Sequence, residues 1–371
     1  MEDAKTYEPG LESPRMQIVC GQEEVLSWQP RLAELSRQCG QSGAMDSLEY
    51  YLSRPAFARK RPTLILEEDT SQDHGLAAAV LLYEYQVRGI GCRVFSADYQ
   101  DGARMVIAPA VARSRTAFRA SAALLQRGAA MVHISYEDNA APAAMTELSL
   151  PLATGRPRWA ASRREMAGYL PLEETLEATL ANLGKTTRRN LRRYRDRTEA
   201  DLGHQVIDHP KLTREEFLEF NRISTHPVTE QQADWRYKVS QSTASGGLFM
   251  GLRAANGDWL SLIGGRTHED STHIEWQMNR ADMPSYSLGT VMRSHLIEGE
   301  VKRGTRKLHF VGGNPLRSGF VTQKVVDLLV LRHALPRWMV RLMLSQTAKQ
   351  GSHMGRLLVE DGLKWRPWAT G

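Results

Sequence analysis

The chain has few of the features that mark several protein classes. Its 371 residues include three cysteines, Cys20, Cys39 and Cys92, an odd number without close spacing, which argues against a disulfide framework and a zinc site. No segment approaches the about 18 uninterrupted apolar residues of a membrane span. The acidic stretch 1–12 resembles neither a signal peptide nor a transit peptide. We therefore expect a cytoplasmic protein without a metal site or a membrane span.

A short pattern occurs twice, 176 positions apart. The Arg-Gly of residues 127–128, followed by Val-His-Ile at 132–134, matches the Arg-Gly of 303–304, followed by Leu-His-Phe at 308–310. Apolar residues at helical spacing precede each Arg-Gly. Each copy therefore predicts a helix, a glycine stop and a strand.

Three strand-like segments precede each copy of this pattern. Those of the first half are 63–68, 76–86 and 92–99. Those of the second half are 248–253, 259–267 and 272–279. Asn256-Gly257-Asp258 predicts a hairpin turn between the first two of the second set. Because solenoid repeats are only about 20–50 residues long, the pattern favours a duplicated domain, with two unrelated α/β halves as the alternative.

The excess positive charge lies largely in one block. Between residues 185 and 197 stand one lysine and six arginines, opposed only by Asp196, in a chain of net charge +6. On a helix, Leu191 and Tyr194 share one side while arginines line another. Such a ridge suits phosphates of a cofactor or an RNA, or it is simply a solvated face.

Other segments give predictions of local structure. Leucines at helical spacing over 172–183 predict a helix that ends at Gly184. Thr213 and Glu216 have the spacing of a capping box. The apolar and basic run 327–344 predicts a further helix, broken at Pro336. Residues 351–354, Gly-Ser-His-Met, look like a cloning scar.

The order of elements resembles a known superfamily. A strand hairpin, a third strand, a loop into a helix with glycine near its start, and a following strand form the core of the GNAT acyltransferases. The duplicated form, with KTTRRNLRRYRDR opening the second unit and LHFVGGN near its end, is similar to the tandem FemAB-like and CelD-like branch. The resemblance covers residues 60–335. It implies an α+β fold, mixed α/β, of two tandem GNAT-like domains, each a mixed, mainly antiparallel sheet flanked by helices.

The resemblance also implies a division of the chain. Residues 1–55 would form a helical extension and 56–160 an N-terminal GNAT-like domain that is a structural copy. Residues 161–340 would form the C-terminal GNAT-like domain with the acyl-donor site, and 341–371 a tail. The first half is assigned as the copy because its corresponding turn has no glycine at the helix start and Pro109 removes a backbone donor.

Members of the superfamily hold the pyrophosphate of coenzyme A at the N-terminus of the helix that follows the third core strand. Free backbone N–H groups and the positive helix end attract phosphate there, and Gly289 allows close approach. The segment departs from the family's phosphate loop, because Tyr286 stands where Gln or Arg is usual and Val291 replaces a small residue. The residues assigned to the donor, acyl-CoA or acetyl-CoA as cosubstrate, are Gln277, Asn279, Ser285, Ser287, Leu288, Gly289 and Thr290.

Candidate catalytic residues follow from the chemistry that the resemblance implies. The strand 272–279 alternates, which predicts Ile274, Trp276 and Met278 on one face and four polar side chains on the other. An amine that attacks a thioester must lose a proton to a nearby base. The first candidate base is Glu275 and the second is His309; Tyr286 is a candidate acid for the leaving thiolate. Candidate substrate-binding residues are His273 and Asn314.

Three functions stay open at this stage. The first is a coenzyme A-dependent N-acyltransferase acting on a small molecule, amino sugar or amino acid. The second is a FemAB-like transfer from aminoacyl-tRNA, which the basic ridge favours. The third is a catalytically silent GNAT pair that serves as a binding module. The expected partner is a small-molecule amine, and a tRNA is the less favoured partner. The protein is expected to be a monomer or a homodimer.

Overall fold

The computed structural model describes most of the chain, in nine segments. These are residues 15–41, 48–55, 60–69, 75–97, 105–137, 157–241, 247–310, 319–332 and 366–367. Asn314, and the tail from 341 apart from 366–367, lie outside the described residues, as does the suspected cloning scar at 351–354.

The described residues form strands and helices in a mixed order. The strands are β1 Met16–Cys20, β2 Lys60–Asp69, β3 Gly75–Val87, β4 Ile90–Ala97, β5 Val106–Ile107, β6 Met131–Glu137, β7 Arg158–Pro171, β8 Gln205–Asp208, β9 Gly247–Arg253, β10 Trp259–His268, β11 Ser271–Asn279, β12 Lys307–Phe310, β13 Val321–Leu331 and β14 Arg366–Pro367. The helices are α1 Gln22–Ser27, α2 Gln29–Gln38, α3 Leu48–Leu52, α4 Arg113–Gln126, α5 Leu176–Ala181, α6 Lys185–Leu202, α7 Arg214–Arg222, α8 Glu230–Ser240 and α9 Leu288–Arg303. The six strands predicted upstream of the repeated pattern are confirmed.

The two halves of the sheet repeat one another. The strand order is β1-β2-β3-β4-β6-β13 in one half and β8-β9-β10-β11-β12-β7 in the other. In each half the fourth and fifth strands are parallel and the other neighbours are antiparallel. A helix, α4 or α9, makes the crossover between the parallel strands. The predicted α+β fold of two tandem units, each a mixed, mainly antiparallel sheet flanked by helices, is therefore confirmed.

The repeated pattern also holds at the level of single residues. Ser96 pairs with His133 in the first half, and His273 pairs with His309 in the second. Gly128 and Gly304, which follow α4 and α9, have φ angles of 92° and 80°, so both glycines adopt the left-handed conformation that ends a helix.

Each half takes its last strand from the other half of the chain. β7 follows β6 in sequence but pairs with β12, while β13 follows β12 but pairs with β6. β7 and β13 also pair with each other, which makes one continuous sheet. The expected domain boundary at 160/161 falls inside β7.

The helix predicted over 327–344 is wrong for its first five residues. Residues 327–331 belong to β13, in which the residues from Val325 onward are all buried. A strand at the centre of a sheet is covered on both faces and carries a near-continuous apolar run, which helical spacing does not distinguish from a buried helix.

Three further local predictions can be compared with the structure. The capping box of α7 is confirmed: Glu216 N–H donates to Thr213 Oγ1 and Thr213 N–H donates to Glu216 Oε2. The helix predicted over 172–183 is shorter, because Leu172 lies beyond the end of β7 and α5 spans only Leu176–Ala181. Gly184 precedes α6 in extended conformation, so it begins the basic helix instead of ending the previous one.

The apolar cores differ between the halves. One cluster fills the first half beneath α4. Among the described residues, the second half has two clusters on opposite faces of its sheet: one packs beneath α9 and α6, and the other, around Phe217 and Trp276, packs beneath α7 and α8. The extension before β2 is helical as expected, and it adds the edge strand β1 to β2.

Candidate active site

The start of α9 is shaped by an unusual turn. A 3₁₀ turn at Pro284–Tyr286 leads to Ser287, whose φ of 50° and ψ of 49° lie in the left-handed region. The Ser287 carbonyl accepts from the backbone N–H of Thr290 (2.7 Å) and Val291 (3.3 Å). A non-glycine residue held in this region costs roughly 1–3 kcal/mol and such strain clusters at functional sites. The first N–H groups of a helix have no acceptor one turn earlier, so this end suits an anion.

A β-bulge divides the neighbouring strand β11. Gly264 pairs with Trp276 and Gly265 pairs with Ile274, which leaves Glu275 as the extra residue. The glycine pair permits the close approach of the two strands there. A Cβ on Gly264 would lie 2.2 Å from the Trp276 ring, and a Cβ on Gly265 would lie 2.0 Å from a backbone oxygen of β11.

The bulge changes which side chains face α9. Ile274 belongs to the core beneath α9, whereas Trp276 and Met278 belong to the core on the opposite face. Gln277 and Asn279 consequently face α9. The strict alternation predicted from the sequence, with all four polar side chains on one face, is wrong beyond the bulge, because one extra residue reverses the order of the faces.

Several residues predicted to bind the acyl donor come together at this end of β11. Gln277 Nε2 donates to the Gly289 carbonyl (3.3 Å) and to Asn279 Oδ1 (3.1 Å), which also accepts from Ser261 Oγ (2.8 Å). A Cβ on Gly289 would lie 3.2 Å from Asn279 Nδ2, so the helix approaches these amides closely. Ser287 Oγ and Thr290 Oγ1 are 2.9 Å apart.

The remaining residues of the predicted donor loop make other contacts. The Ser285 carbonyl accepts from Arg197 Nη1 (3.3 Å), and the Arg197 guanidinium lies over the Tyr286 ring, 5.0 Å from its centroid. Leu288 is buried in the core beneath α9, so only its backbone is available to a ligand. The site thus has a cation, Arg197, beside the helix start.

The extra residue of the bulge lies in a buried ion-pair cluster. Glu275 Oε2 accepts from Arg54 Nη2 (2.6 Å) and Glu275 Oε1 accepts from Arg266 Nε (2.8 Å). Arg54 comes from the N-terminal extension, where the neighbouring Ser53 Oγ accepts from Trp235 Nε1 of α8 (3.0 Å). The extension therefore reaches across to the candidate site of the second half.

Two histidines stack beside this cluster. His273 and His309, paired in register on β11 and β12, have ring centroids 4.2 Å apart and an interplanar angle of 3°. The Tyr169 ring of β7 lies 5.4 Å from His309. All three rings are half-buried, so a substrate that reaches this row would meet two imidazoles and a phenol.

The sequence reasoning missed Arg54, Arg266 and Tyr169, and it identified Arg197 only as part of the basic block 185–197. Arg54 and Tyr169 come from segments distant in the chain and carry no local signal. Arg266 had one: a Gly-Gly pair inside a predicted strand is typical of a bulge or a close backbone approach, and Arg266 follows that pair directly.

The basic helix α6 packs against α9, and several of its cationic side chains are exposed to solvent. Leu191 is buried and Tyr194 packs on the core, as the helical spacing predicted. Arg195 Nη1 lies 2.6 Å from Glu298 Oε2 of α9. A groove of about 670 Å³ runs along α5 and α6, lined by Glu177, Leu180, Ala181, Lys185, Thr186, Arg188, Arg189, Arg192, Arg193 and Asp196.

The equivalent place in the first half is filled by a side chain. Arg113, 176 positions before Gly289, begins α4 and is only 4% exposed. Its Nη1 lies 3.2 Å from Glu137 Oε2, and its Nε donates to the Ala108 carbonyl (3.3 Å). An arginine with its own carboxylate thus occupies the position where the second half has no side chain.

Within the part of the chain that the structure describes, no helix is long and apolar enough to cross a membrane. In the same residues, no group of three or more His, Cys, Asp or Glu side chains is arranged to hold a metal ion.

Three features determine the architecture. They are the parallel fourth and fifth strands of each half, the crossover helix between them, and the bulge beside the start of α9. The chain folds as a tandem pair of units with the same mixed-sheet topology. No protein-family model matches the chain, and no curated protein sequence matches it.

Solved structures with a similar arrangement share little sequence with the chain. L-PGS from Bacillus licheniformis is 13% identical, with a TM-score of 0.48 over 88% of this chain and 97% of that one. A tandem GNAT protein from the clavulanic acid biosynthesis pathway is 9% identical, with a TM-score of 0.44 over 85% and 98%. FemX is 8% identical, with a TM-score of 0.45 over 80% and 96%.

Proposed function

We propose that this protein is an N-acyltransferase that moves an acyl group from acyl-CoA, with acetyl-CoA as the simplest donor, to the amine of a small molecule, amino sugar or amino acid. The observation that carries the proposal is the bulge at Glu275. It turns Gln277 and Asn279 toward the N-terminus of α9 and leaves Glu275 with His273 on the other face. A donor and an acceptor would then meet from opposite faces of one strand.

On the donor face, the helix start would hold the phosphates of coenzyme A. Backbone N–H groups and the positive helix end attract phosphate, and Arg197, whose Nε lies 3.6 Å from Asp201 Oδ2, adds a guanidinium beside Ser285. Gly289 leaves the space that a side chain would occupy, because a Cβ there would press on Asn279.

On the acceptor face, an amine would lose its proton as it attacks the thioester carbonyl. Both oxygens of Glu275 already accept from guanidinium groups, so neither is placed to take that proton unless an arginine moves away. His309 is half-buried and stacked on His273, and an imidazole nitrogen is a suitable base. We assign His309 as the base that takes the proton. Glu275 is assigned a positioning role, because it holds Arg54 and Arg266 in place.

The first experiment is calorimetric titration of the purified protein with acetyl-CoA and free coenzyme A. We expect micromolar binding that Gly289→Val weakens at least 100-fold, because its Cβ and methyl groups meet Asn279 and block the helix start. Gly299→Val is the matched control: it lies on the same helix, and a Cβ there has nothing within 4 Å. Absence of binding in the parent protein would refute the proposal in favour of the RNA-dependent or the catalytically silent alternative.

A second experiment separates the two candidate bases. Release of the coenzyme A thiol is followed with a panel of amines between pH 6 and pH 9. His309→Gln should lower kcat about 10²- to 10⁴-fold and remove the limb of the pH profile that reports the base. Glu275→Gln should keep that limb. If Glu275→Gln removes the limb and His309→Gln keeps it, Glu275 is the base.

The groove along α6 supports a second candidate, transfer from aminoacyl-tRNA. Among the described residues, Lys185, Arg188, Arg189, Arg192 and Arg193 have no carboxylate partner, so they are open to phosphates. Binding to RNA would weaken steeply with salt, and a gel shift with tRNA at several salt concentrations tests for it. A flat response would remove this candidate.

A further inference from the structure

One largely buried arginine faces the proposed donor site without a counter-ion. Arg293, on the second turn of α9, lies over the Phe310 ring with its Cζ 5.8 Å from the centroid. Its Nε is buried and has no hydrogen-bond partner, while its two terminal nitrogens are not enclosed in this way. Among the described residues no carboxylate pairs with it. Burial alone lowers the pKa of the Arg293 guanidinium to about 10.

Three other arginines with little exposed surface have carboxylate partners. Arg113 pairs with Glu137, and Arg54 and Arg266 pair with Glu275. An uncompensated charge inside a protein is destabilising, and removal of one partner from a buried pair leaves such a charge. Among the residues that the structure describes, Arg293 is therefore placed as half of an ion pair whose other half is missing.

The position of Arg293 points to the donor. It follows Gly289 by one helical turn, so it lies on the same side of α9, about 6 Å farther from the helix start. Phe310, which it covers, pairs in register with Ile274, the residue just before the bulge. Arg293 thus lies beyond the place proposed for the phosphates and level with the place where the thioester would lie.

A second open polar atom lies in the same region. Gln277 Oε1 is buried without a hydrogen-bond partner, although the amide nitrogen of that side chain donates to the Gly289 carbonyl. A buried acceptor on β11 and a buried donor on α9 are thus both left open. Buried polar atoms in folded proteins are usually bonded, and these two lie on the elements that line the proposed donor site.

We propose that Arg293 binds a carboxylate carried by the acyl group, so that the donor is the monothioester of a dicarboxylic acid. This rests on the proposed function. The amine nitrogen forms the new bond to the thioester carbon, the carbon–sulfur bond breaks, and the proton lost by the amine balances the one gained by the coenzyme A thiolate. The distal carboxylate and Arg293 are unchanged by the reaction.

The test compares succinyl-CoA, acetyl-CoA and free coenzyme A by calorimetric titration. The parent protein should bind succinyl-CoA at least tenfold more tightly than acetyl-CoA. Arg293→Met, which keeps the length of an apolar stem, should abolish that preference and leave the affinity for free coenzyme A within twofold. Arg197→Met is the matched control, because loss of the cation beside Tyr286 should weaken all three ligands equally.

A second readout does not depend on any ligand. Unliganded Arg293→Met should melt at the temperature of the parent protein or above it, because the uncompensated charge is gone. A melting temperature well below that of the parent would make Arg293 a packing residue and overturn the inference.

The two proposals fail in different ways. Equal affinities of the parent for succinyl-CoA and acetyl-CoA, or a preference that survives in Arg293→Met, overturn the inference alone. Failure of free coenzyme A to bind overturns the proposed function and this inference with it.

Discussion

The two halves of the sheet share a strand order and differ at the start of the crossover helix. In the first half Arg113 fills that place and pairs with Glu137; in the second half Gly289 leaves it to the amides of Gln277 and Asn279. The same difference recurs at the paired histidines. His133 is fully buried, whereas His309 is half-buried.

The comparison shows that one scaffold can be filled or left without a side chain at the same place. Where a unit closes its own helix start with a side chain and a carboxylate, nothing is left for a ligand to contact. Where glycine stands at the equivalent position, no side chain of that residue covers the helix start. This difference supports the proposal that the first half is the structural copy and the second half holds the acyl donor.

The largest effect on stability is expected from a change in the first half of the sheet, in which Arg113 fills the helix start. Asp327 of β13 is buried, accepts from Arg164 Nε (2.7 Å) and Ser135 Oγ (2.5 Å), and lies 3.5 Å from His133 Nε2. Asp327→Ala should lower the free energy of unfolding by about 3–5 kcal/mol, because it leaves a buried charge without its partner. Urea unfolding measures this.

The control for that change is an exposed aspartate. Asp282→Ala removes a partly exposed ion pair with Arg280 and should cost less than about 1 kcal/mol. If Asp327→Ala lowers the free energy of unfolding no more than Asp282→Ala does, the buried cluster around Asp327 does not stabilise the first half of the sheet.

An exchange of the equivalent residues breaks the comparison directly. Gly289→Arg places in the second half the side chain that the first half has at Arg113. It should weaken coenzyme A at least 100-fold, about 2.7 kcal/mol, measured by calorimetry. Undiminished binding would move the donor site away from the start of α9. Gly299→Val again serves as the control on the same helix.

The halves should also differ in their response to acid. His295 of α9 stands 176 positions after Arg119, which pairs with Glu67 in the first half. Burial, with the charge of Arg195, lowers the pKa of His295 to about 4, and burial also lowers the pKa of His204, whose Nε2 lies 2.8 Å from that of His295.

The sign of this effect follows from the two states. In the unfolded chain the histidine takes up a proton below about pH 6.5, whereas in the folded protein His295 stays neutral down to about pH 4. The free energy of unfolding therefore decreases as the pH is lowered from about 6.5 to about 4. Because the His295 ring is only half-buried, the loss is smaller than the full shift implies, at about 2 kcal/mol. Urea unfolding at several pH values measures it. His295→Gln should flatten the dependence, and an unchanged slope in that variant would contradict the assignment.

The smallest change in stability is expected on α6. Replacement of Arg188, Arg189 and Arg192 by Ala should alter the free energy of unfolding by less than about 0.5 kcal/mol for each residue and leave coenzyme A affinity within twofold. If the groove binds RNA, the slope of log affinity against log salt should fall by roughly 0.9 for each phosphate that the helix no longer neutralises. Melting curves and gel shifts measure the two quantities, and a loss of coenzyme A binding would place the ridge in the donor site.

Local sequence signals were enough for some elements. Aliphatic, aromatic and β-branched residues gathered between breaks indicated the strands around the Asn256-Gly257-Asp258 turn, and the Arg-Gly pairs indicated where α4 and α9 end. Leu191 was identified as buried from helical spacing alone. These features depend on neighbours within one turn of a helix or one pair of strands.

Features set by distant contacts were not accessible in this way. The bulge at Glu275 reversed the expected directions of Gln277 and Asn279, because register depends on the partner strand. The pairing of Glu275 with Arg54 joins positions 221 residues apart. The strand at Asp327 resembled a helix, since a run buried on both faces has no alternation to reveal its period.

The exchange of last strands has a consequence for synthesis on the ribosome. Residues 60–137 emerge first, yet their sheet is completed only when β13, Val321–Leu331, has been made. Until then β6 has an open edge on the side that β13 later covers, and an open strand edge is a site of misassociation. We expect the nascent first half to depend on chaperones, and a chain that stops before Val321 to aggregate however complete its first 300 residues are.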